Sequence, residues 1–266
     1  MLGALDHWVQ LAGCGLIVGV LVGATGVGAG SLTTPLLIVG FGVPPAVAVG
    51  TDLLFASITK AGAAWRHHRL GTVDWAVLRA LALGSLPAAS AVLAWVAIMK
   101  PSMAALAAAI RSCLVVVLLA SAIAIALYPW LTPRDGPTRP ASLIEPPPTS
   151  RRWTIALGAL LGALVAMTSV GAGAIGVVVL SLLYPLMPAR RLVGTDIAHA
   201  VPLTFLCGMG HLSIGHIDWR ILIVLLMGSI PGIAIGSRVT GFLPDWMLRL
   251  LLAAVLVLAA MALMKT

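Results

Sequence analysis

Charge is what this sequence has least of. Only 9% of its 266 residues are Asp, Glu, Lys or Arg, where soluble domains carry about a quarter. With 61% hydrophobic residues and a mean hydropathy of +1.10, that scarcity excludes a water-soluble enzyme, a disordered regulator and a small disulfide scaffold. Cysteine is scarce too. Cys14, Cys113 and Cys207 lie far apart inside apolar runs, without metal or redox spacing, and read as small buried apolar side chains. Acidic residues number 8 against 16 basic ones, a net charge of +8. The basic residues form short clusters between apolar runs, not the continuous face that nucleic-acid binding needs. There is no P-loop, nucleophile elbow or metal-ligand cluster. Neither an enzyme, nor a cofactor, nor ATP-driven transport by this chain alone is expected.

What is present is apolar length. A spanning helix needs about 20 apolar residues, so the chain has room for roughly eight to ten spans. Breaks at Gly, Pro and charge clusters divide it into segments 8–24, 29–42, 45–65, 74–98, 103–130, 153–169, 173–187, 192–211, 219–240 and 245–264. The eight tryptophans test this division, because indoles prefer the headgroup level. Trp8, Trp65, Trp75, Trp95, Trp130, Trp153, Trp219 and Trp246 all fall near a segment end. Asp6 and His7 precede the first run, where a cleaved signal would carry Lys or Arg, so that segment is expected to be retained. The last run ends beside Lys265, and no soluble tail domain is expected. Residues 131–152 differ in kind. Six prolines and dense charge argue against a helix and predict an exposed linker between a first unit (1–130) and a second (153–266).

The two units repeat. Val49-Gly50-Thr51-Asp52 returns as Val193-Gly194-Thr195-Asp196, an offset of 144. The same offset carries His67 to His211, Gly71 to Gly215, Asp74-Trp75 to Asp218-Trp219, and Gly84-Ser85 to Gly228-Ser229. Near the start it slips to 143, matching Gly28-Ala29-Gly30 with Gly171-Ala172-Gly173. This is an internal duplication. Five segments per half, an odd number, make the second half enter the bilayer from the opposite side. Arg66, Arg69, the linker arginines, Arg190, Arg191, Arg238 and Arg249 then share the cytoplasmic side, a positive-inside bias. The competing count, four plus four parallel spans, strands Arg190, Arg191, Arg238 and Arg249 outside. The expected fold is thus an all-α polytopic membrane protein of two inverted five-segment repeats. The first two segments of each half, about 17 and 14 residues, are short for a core of about 30 Å. They predict half-helices or a re-entrant hairpin meeting at glycines, where inverted-repeat transporters bind their substrates.

The first break holds Thr25, Gly28, Ala29, Gly30 and Ser31, followed by Thr33, Thr34 and Pro35; the second holds Thr168, Ser169, Gly171, Ala172 and Gly173. Glycine exposes backbone N–H groups, helix starts add a positive dipole end, and the hydroxyls add neutral donors. Two such breaks suit an oxyanion; close packing through small residues is the alternative. Ionisable residues inside spans are functional candidates. Asp52 and Asp196 are candidate proton carriers or structural carboxylates. His199, three residues beyond Asp196 and on the same face, is a candidate to share its proton; its counterpart is Phe55. Lys60 and Arg111 either attract an anion or snorkel to the interface. Arg66-His67-His68-Arg69 reads as a topology signal.

Gly26-Val27-Gly28-Ala29-Gly30-Ser31-Leu32, Thr34-Pro35-Leu36-Leu37 and Ala48-Val49-Gly50-Thr51-Asp52-Leu53 resemble the TauE/SafE family of sulfite-exporter-like permeases. Leu192-Val193-Gly194-Thr195-Asp196-Ile197, Gly215-His216-Ile217-Asp218-Trp219 and Gly228-Ser229-Ile230-Pro231-Gly232 fit its second half. The resemblance covers nearly the whole chain. It implies a bacterial-type inner-membrane carrier exporting a small sulfur-containing anion, sulfite or an organosulfonate such as sulfoacetate. A channel-like anion pore and a permease for another small organic anion are the alternatives. The expected partners are that anion and the lipid bilayer, not nucleic acid.

Overall fold

A computed structural model describes residues 2–25, 30–131, 148–171, 173–239 and 245–265. The described residues form ten helices and no strand: α1 (Leu2–Thr25), α2 (Gly30–Pro35, continued by a π-helical turn, Leu36–Gly40), α3 (Pro45–Arg69), α4 (Trp75–Met99), α5 (Met103–Leu131), α6 (Pro148–Thr168), α7 (Ala174–Leu183), α8 (Ala189–Ile214), α9 (Trp219–Val239) and α10 (Asp245–Met264). Six of them, α3, α4, α5, α8, α9 and α10, are long and apolar enough to cross a membrane. Their outward faces carry side chains such as Ile98, Met227 and Leu250, largely exposed, as lipid-facing residues are. Trp65, Trp75, Trp95, Trp153, Trp219 and Trp246 sit at or near helix ends and are half exposed or nearly so. That is how an interfacial belt is placed.

Two expectations change. The first helix of each half is not short: α1 has 24 residues and α6 has 21, about 36 and 31 Å of rise. The apolar run alone underestimates them because the helices take in Asp6 and His7 in α1 and Arg151 and Arg152 in α6. Only the second element of each half is short, α7 having 10 residues, about 15 Å. The expected linker is also shorter, since α6 begins at Pro148 and takes in Arg151 and Arg152. Proline fits a helix's first turn, where its missing N–H has no partner to lose. Residues 132–147, most of the expected linker, lie outside the described residues.

The halves are stitched together reciprocally. The most extensive contacts are α1 with α9 and α4 with α6, so the first helix of each half lies on the fourth of the other. Glycine sets both crossings. Gly15, Gly19 and Gly23 lie against the backbone of Leu225, Ser229 and Ile233, while Gly228, Gly232 and Gly236 lie against Ala12, Leu16 and Val20. In the matching crossing, Gly84 meets Ile155, Gly158 meets Leu81 and Gly162 meets Ser85. Residue numbers rise together along both crossings, so these pairs run parallel. The central pair, α3 and α8, runs the other way: Gly50 faces His211, Leu54 faces Gly208 and His67 faces Gly194.

The duplicated Gly-Thr-Asp triplets hold this centre. The Thr195 hydroxyl accepts the Asp74 backbone N–H at 2.8 Å, and the Thr51 hydroxyl accepts that of Asp218 at 3.0 Å. Asp74 and Asp218 in turn accept N–H groups in the first turns of α4 and α9, as N-caps do. One contact lacks its twin. Arg191 pairs with Asp74 at 3.0 Å, whereas the counterpart of Arg191 is Val47.

The crossings tolerate no side chain. Gly19→Leu and Gly162→Leu are expected to lose at least about 1–3 kcal/mol to overpacking and to lower the melting temperature in detergent. Gly62→Leu, at a position open to space, should melt like the parent.

Candidate functional site

Asp52 is fully buried, and three hydroxyls turn toward it. Thr34 of α2 donates to its Oδ2 at 2.6 Å. Thr33 of α2 and Ser169 of the second break face the same carboxylate. Each reaches it for a local reason. Thr33 and Thr34 lie on the short helix packed on α3. Ser169 lies where α6 stops, in the left-handed region (φ 60°), and Gly171 and Gly173 follow at φ 125° and 127°. Non-glycine residues avoid that region at roughly 1–2 kcal/mol, so the sharp reversal is held by its surroundings. Thr168 supplies part of that hold: its hydroxyl donates to the Leu164 carbonyl at 2.7 Å and accepts the Val170 N–H at 3.1 Å. It is engaged by the break's own backbone. Ser169 Oγ is buried without a hydrogen bond, and so is the donor left over.

Asp196 is the unequal twin. It is buried, and its Oδ1 packs against Gly176 of α7 and has no hydrogen-bond partner. Gly176 corresponds to Thr33 at the offset of 143, so the second half lacks the hydroxyl that faces the first half's carboxylate. His199 does not turn to Asp196. Its Nε2 lies 2.7 Å from Ser85 Oγ on α4, and no ion pair joins it to the carboxylate. The counterpart pair is Ser229 and Phe55, and Ser229 Oγ is buried and unpartnered. Phe55 explains that orphan: it fills the space of an imidazole and offers no nitrogen.

Lys60 is buried in α3, and its charge acts on Asp52, Asp196 and His199 alike. Arg111 is half-buried on α5 and is not among the charges acting on either carboxylate. Ser31 is buried in the first turn of α2. Thr25 closes α1 and Gly30 opens α2, while Gly28, Ala29 and Ala172 lie outside the described residues. Thus the structure gathers Thr33, Thr34 and Ser169 at Asp52, sets Lys60 on α3 where its charge acts on Asp52 and Asp196 alike, and adds Ser85 as the partner of His199. The two threonines were visible beside the first break. Ser85 had no signal beyond its duplication. Among the described residues no group of three or more His, Cys, Asp or Glu could hold a metal.

The second histidine pair ties the break to the centre. His211 Nε2 lies 3.0 Å from the carbonyl of Ala166, in the last turn of α6. The His211 and His216 rings lie 5.6 Å apart between centroids, tilted by 43°, and the His216 carbonyl abuts Gly50. His216 stands in the α8–α9 turn, where burial holds its imidazole below the ordinary 6.5.

A bundle of long apolar helices, with hydroxyls of both halves gathered at one buried carboxylate and a lysine buried at span depth, is a membrane-transport architecture. The comparisons agree. The family model described as Sulfite exporter TauE/SafE matches residues 11–263, and the chain belongs to that family of membrane transporters. It is 36% identical over 249 residues to the probable membrane transporter protein YjnA of Bacillus subtilis, covering 94% of this chain and 96% of that one. It is 23% identical over 233 residues to the probable membrane transporter protein YdhB of the same organism, covering 88% and 90%. No solved structure matches.

Thr34→Val removes the donor that lies 2.6 Å from Asp52. The expected loss is about 1–3 kcal/mol, read as a lower melting temperature, and Asp52→Asn in the same background should recover part of it. For His216 the sign follows from its depressed folded value. The neutral ring's stabilisation is present above 6.5 and lost as pH falls below it. Melting temperature should therefore drop from pH 7 to pH 5, and drop less in His216→Asn.

Proposed function

We propose that this chain is a secondary transporter that exports a small sulfur-containing oxyanion, sulfite or an organosulfonate such as sulfoacetate, from a bacterial cell across the inner membrane. The observation that carries the reading is the meeting of Thr34, from beside the first break, and Ser169, from the second, at one buried carboxylate. A ligand cage shared by both halves is what alternating access at a repeat interface requires. Ser169 and the backbone around Gly171 and Gly173 supply neutral donors to the oxyanion. Family membership supplies the substrate class, and hydroxyl and backbone N–H donors suit it.

The inverted arrangement is supported by chain direction. The counterpart helices α3 and α8 run antiparallel, while α1 runs with α9 and α6 with α4. Alternating directions through all ten elements satisfy these pairings. They put the ends of α5 and α9 and the starts of α6, α8 and α10 on one side with Arg66, Arg69, Arg190, Arg191, Arg238 and Arg249. In this reading that side, with residues 131–152, is cytoplasmic. Exporting an anion from a cell negative inside gains about 2.3 kcal/mol per charge per 100 mV, so coupling to protons is optional for direction. Asp196, to which no described hydroxyl donates, is the better placed proton carrier, and Asp52, held by Thr34 at one of its two oxygens, the more structural one.

The test is flux of labelled sulfite and sulfoacetate into proteoliposomes. Saturable flux above that of empty liposomes is expected. Flux that never saturates would mark a pore, and none for either anion would remove the substrate claim. Asp196→Asn should abolish transport or flatten its pH profile with the protein still folded, and Asp52→Asn should do less. An unchanged profile in both variants makes the carboxylates structural.

A further inference from the structure

One charge in the centre of the bundle has no twin. Among the described residues Lys60 is the one buried lysine or arginine, and its counterpart in the second half is Thr204. A cation inside the hydrocarbon region is costly enough to need a role. Its position along α3 is set by the register with α8. Gly50 and His211, Leu54 and Gly208, and His67 and Gly194 face each other, pairs whose numbers add to 261 or 262. Since the repeat relates each residue to the one 144 further on, the position facing its own counterpart is half of 262 − 144, residue 59. Lys60 therefore stands next to the pseudo-twofold axis relating the halves.

The carboxylates are spread to either side of it. Asp52 lies eight residues back along α3, about 12 Å. Asp196 faces the level of residue 66, about 9 Å the other way. The ammonium feels both, yet among the described residues no carboxylate oxygen lies within the 4.0 Å of an ion pair. A strongly hydrated point charge on a flexible stem is thus held centrally without a contact partner.

We propose that Lys60 is the counter-cation of the transported anion, seated at the repeat axis so that one ammonium meets the anion from either side of the membrane. The inference rests on the anion-transport reading above and deepens it. A residue on the axis occupies the same place relative to both halves, so a single lysine suffices where the rest of the site is duplicated. Asp52 and Asp196 draw the empty ammonium toward one level or the other, and the anion takes their place at it.

The experiment is anion-induced thermal stabilisation in detergent, with sulfite, sulfoacetate, chloride and phosphate as probes, on the parent, K60T, K60R and the double variant K60T/T204K. Threonine is the residue the other half already carries there, which makes K60T the gentlest removal of the charge. Sulfite or sulfoacetate is expected to stabilise the parent, and the half-saturating concentration should rise at least about tenfold in K60T. K60R and K60T/T204K should recover much of that loss, the double variant because its lysine lands on the other side of the same axis. Equal half-saturation in the parent and K60T overturns the inference and leaves the anion reading intact. Stabilisation that depends on Lys60 but comes only from chloride or phosphate removes the sulfur substrate and keeps the lysine.

A second measurement needs no variant. The chain has three lysines, Lys60, Lys100 and Lys265, so acylation by an amine-reactive reagent is readily resolved by mass spectrometry. Bound anion should slow modification of Lys60 and leave the other two unchanged. No protection of Lys60 by any of the four anions overturns the inference.

Discussion

A bilayer offers helices no hydrophobic reason to pack against one another, because lipid tails are as apolar as leucine. Association has to come from close backbone approach and polar contact. In this chain that approach is made twice by glycine, at the α1–α9 and α4–α6 crossings. Each crossing joins helices from different halves, so neither half completes its packing alone. The rest follows from this stitching. With α1 and α6 clamped onto the opposite half, α3 and α8 are confined to the centre, and the short elements α2 and α7 are left to pack against them.

The central pair then concentrates polarity where lipid cannot reach it. Thr51 and Thr195 each take a backbone N–H from the turn leading into the other half's fourth helix, linking the halves by hydrogen bonds as well as by shape. The carboxylates one residue later are buried at that same interface. Burial without a partner is costly, and the two halves respond differently. Each keeps one unbonded oxygen, but the other oxygen of Asp52 is held by Thr34, while Asp196 meets a glycine. Around these polar groups the duplicated scaffold has diverged at Thr33 against Gly176, Phe55 against His199, Lys60 against Thr204 and Val47 against Arg191. These differences, not the fold, distinguish the two faces of the site.

Much of the architecture was legible in the residues. Segment ends agreed with helix ends to within a few residues because tryptophan, glycine, proline and charge mark a membrane interface from either side. Duplication was visible because capping aspartates, crossing glycines and central threonines are each demanded by a specific contact. Where a boundary missed, the reason was local. Asp6 and His7 of α1 and Pro148 with the arginines of α6 are helical despite not being apolar, since helix formation asks for φ, ψ and hydrogen bonds, whereas a hydropathy reading asks only for lipid solubility.

By itself, then, the sequence determined the membrane class, most of the limits of the described helices, the family and the presence of a repeat, since all of these depend on composition and on patterns along the chain. Only the tertiary structure decided which carboxylate Thr34 serves, that His199 turns to Ser85 and not to Asp196, and that Ser169 faces Asp52 from the other half. It also decided that Lys60 falls near the level at which α3 and α8 face their own counterparts, an outcome of their antiparallel register. The physical reason is the same in each case. A helix's sequence states which of its faces are polar, but the partner of a polar group is chosen by the angle, direction and register at which another helix crosses it, and those are set by glycines far away in the chain.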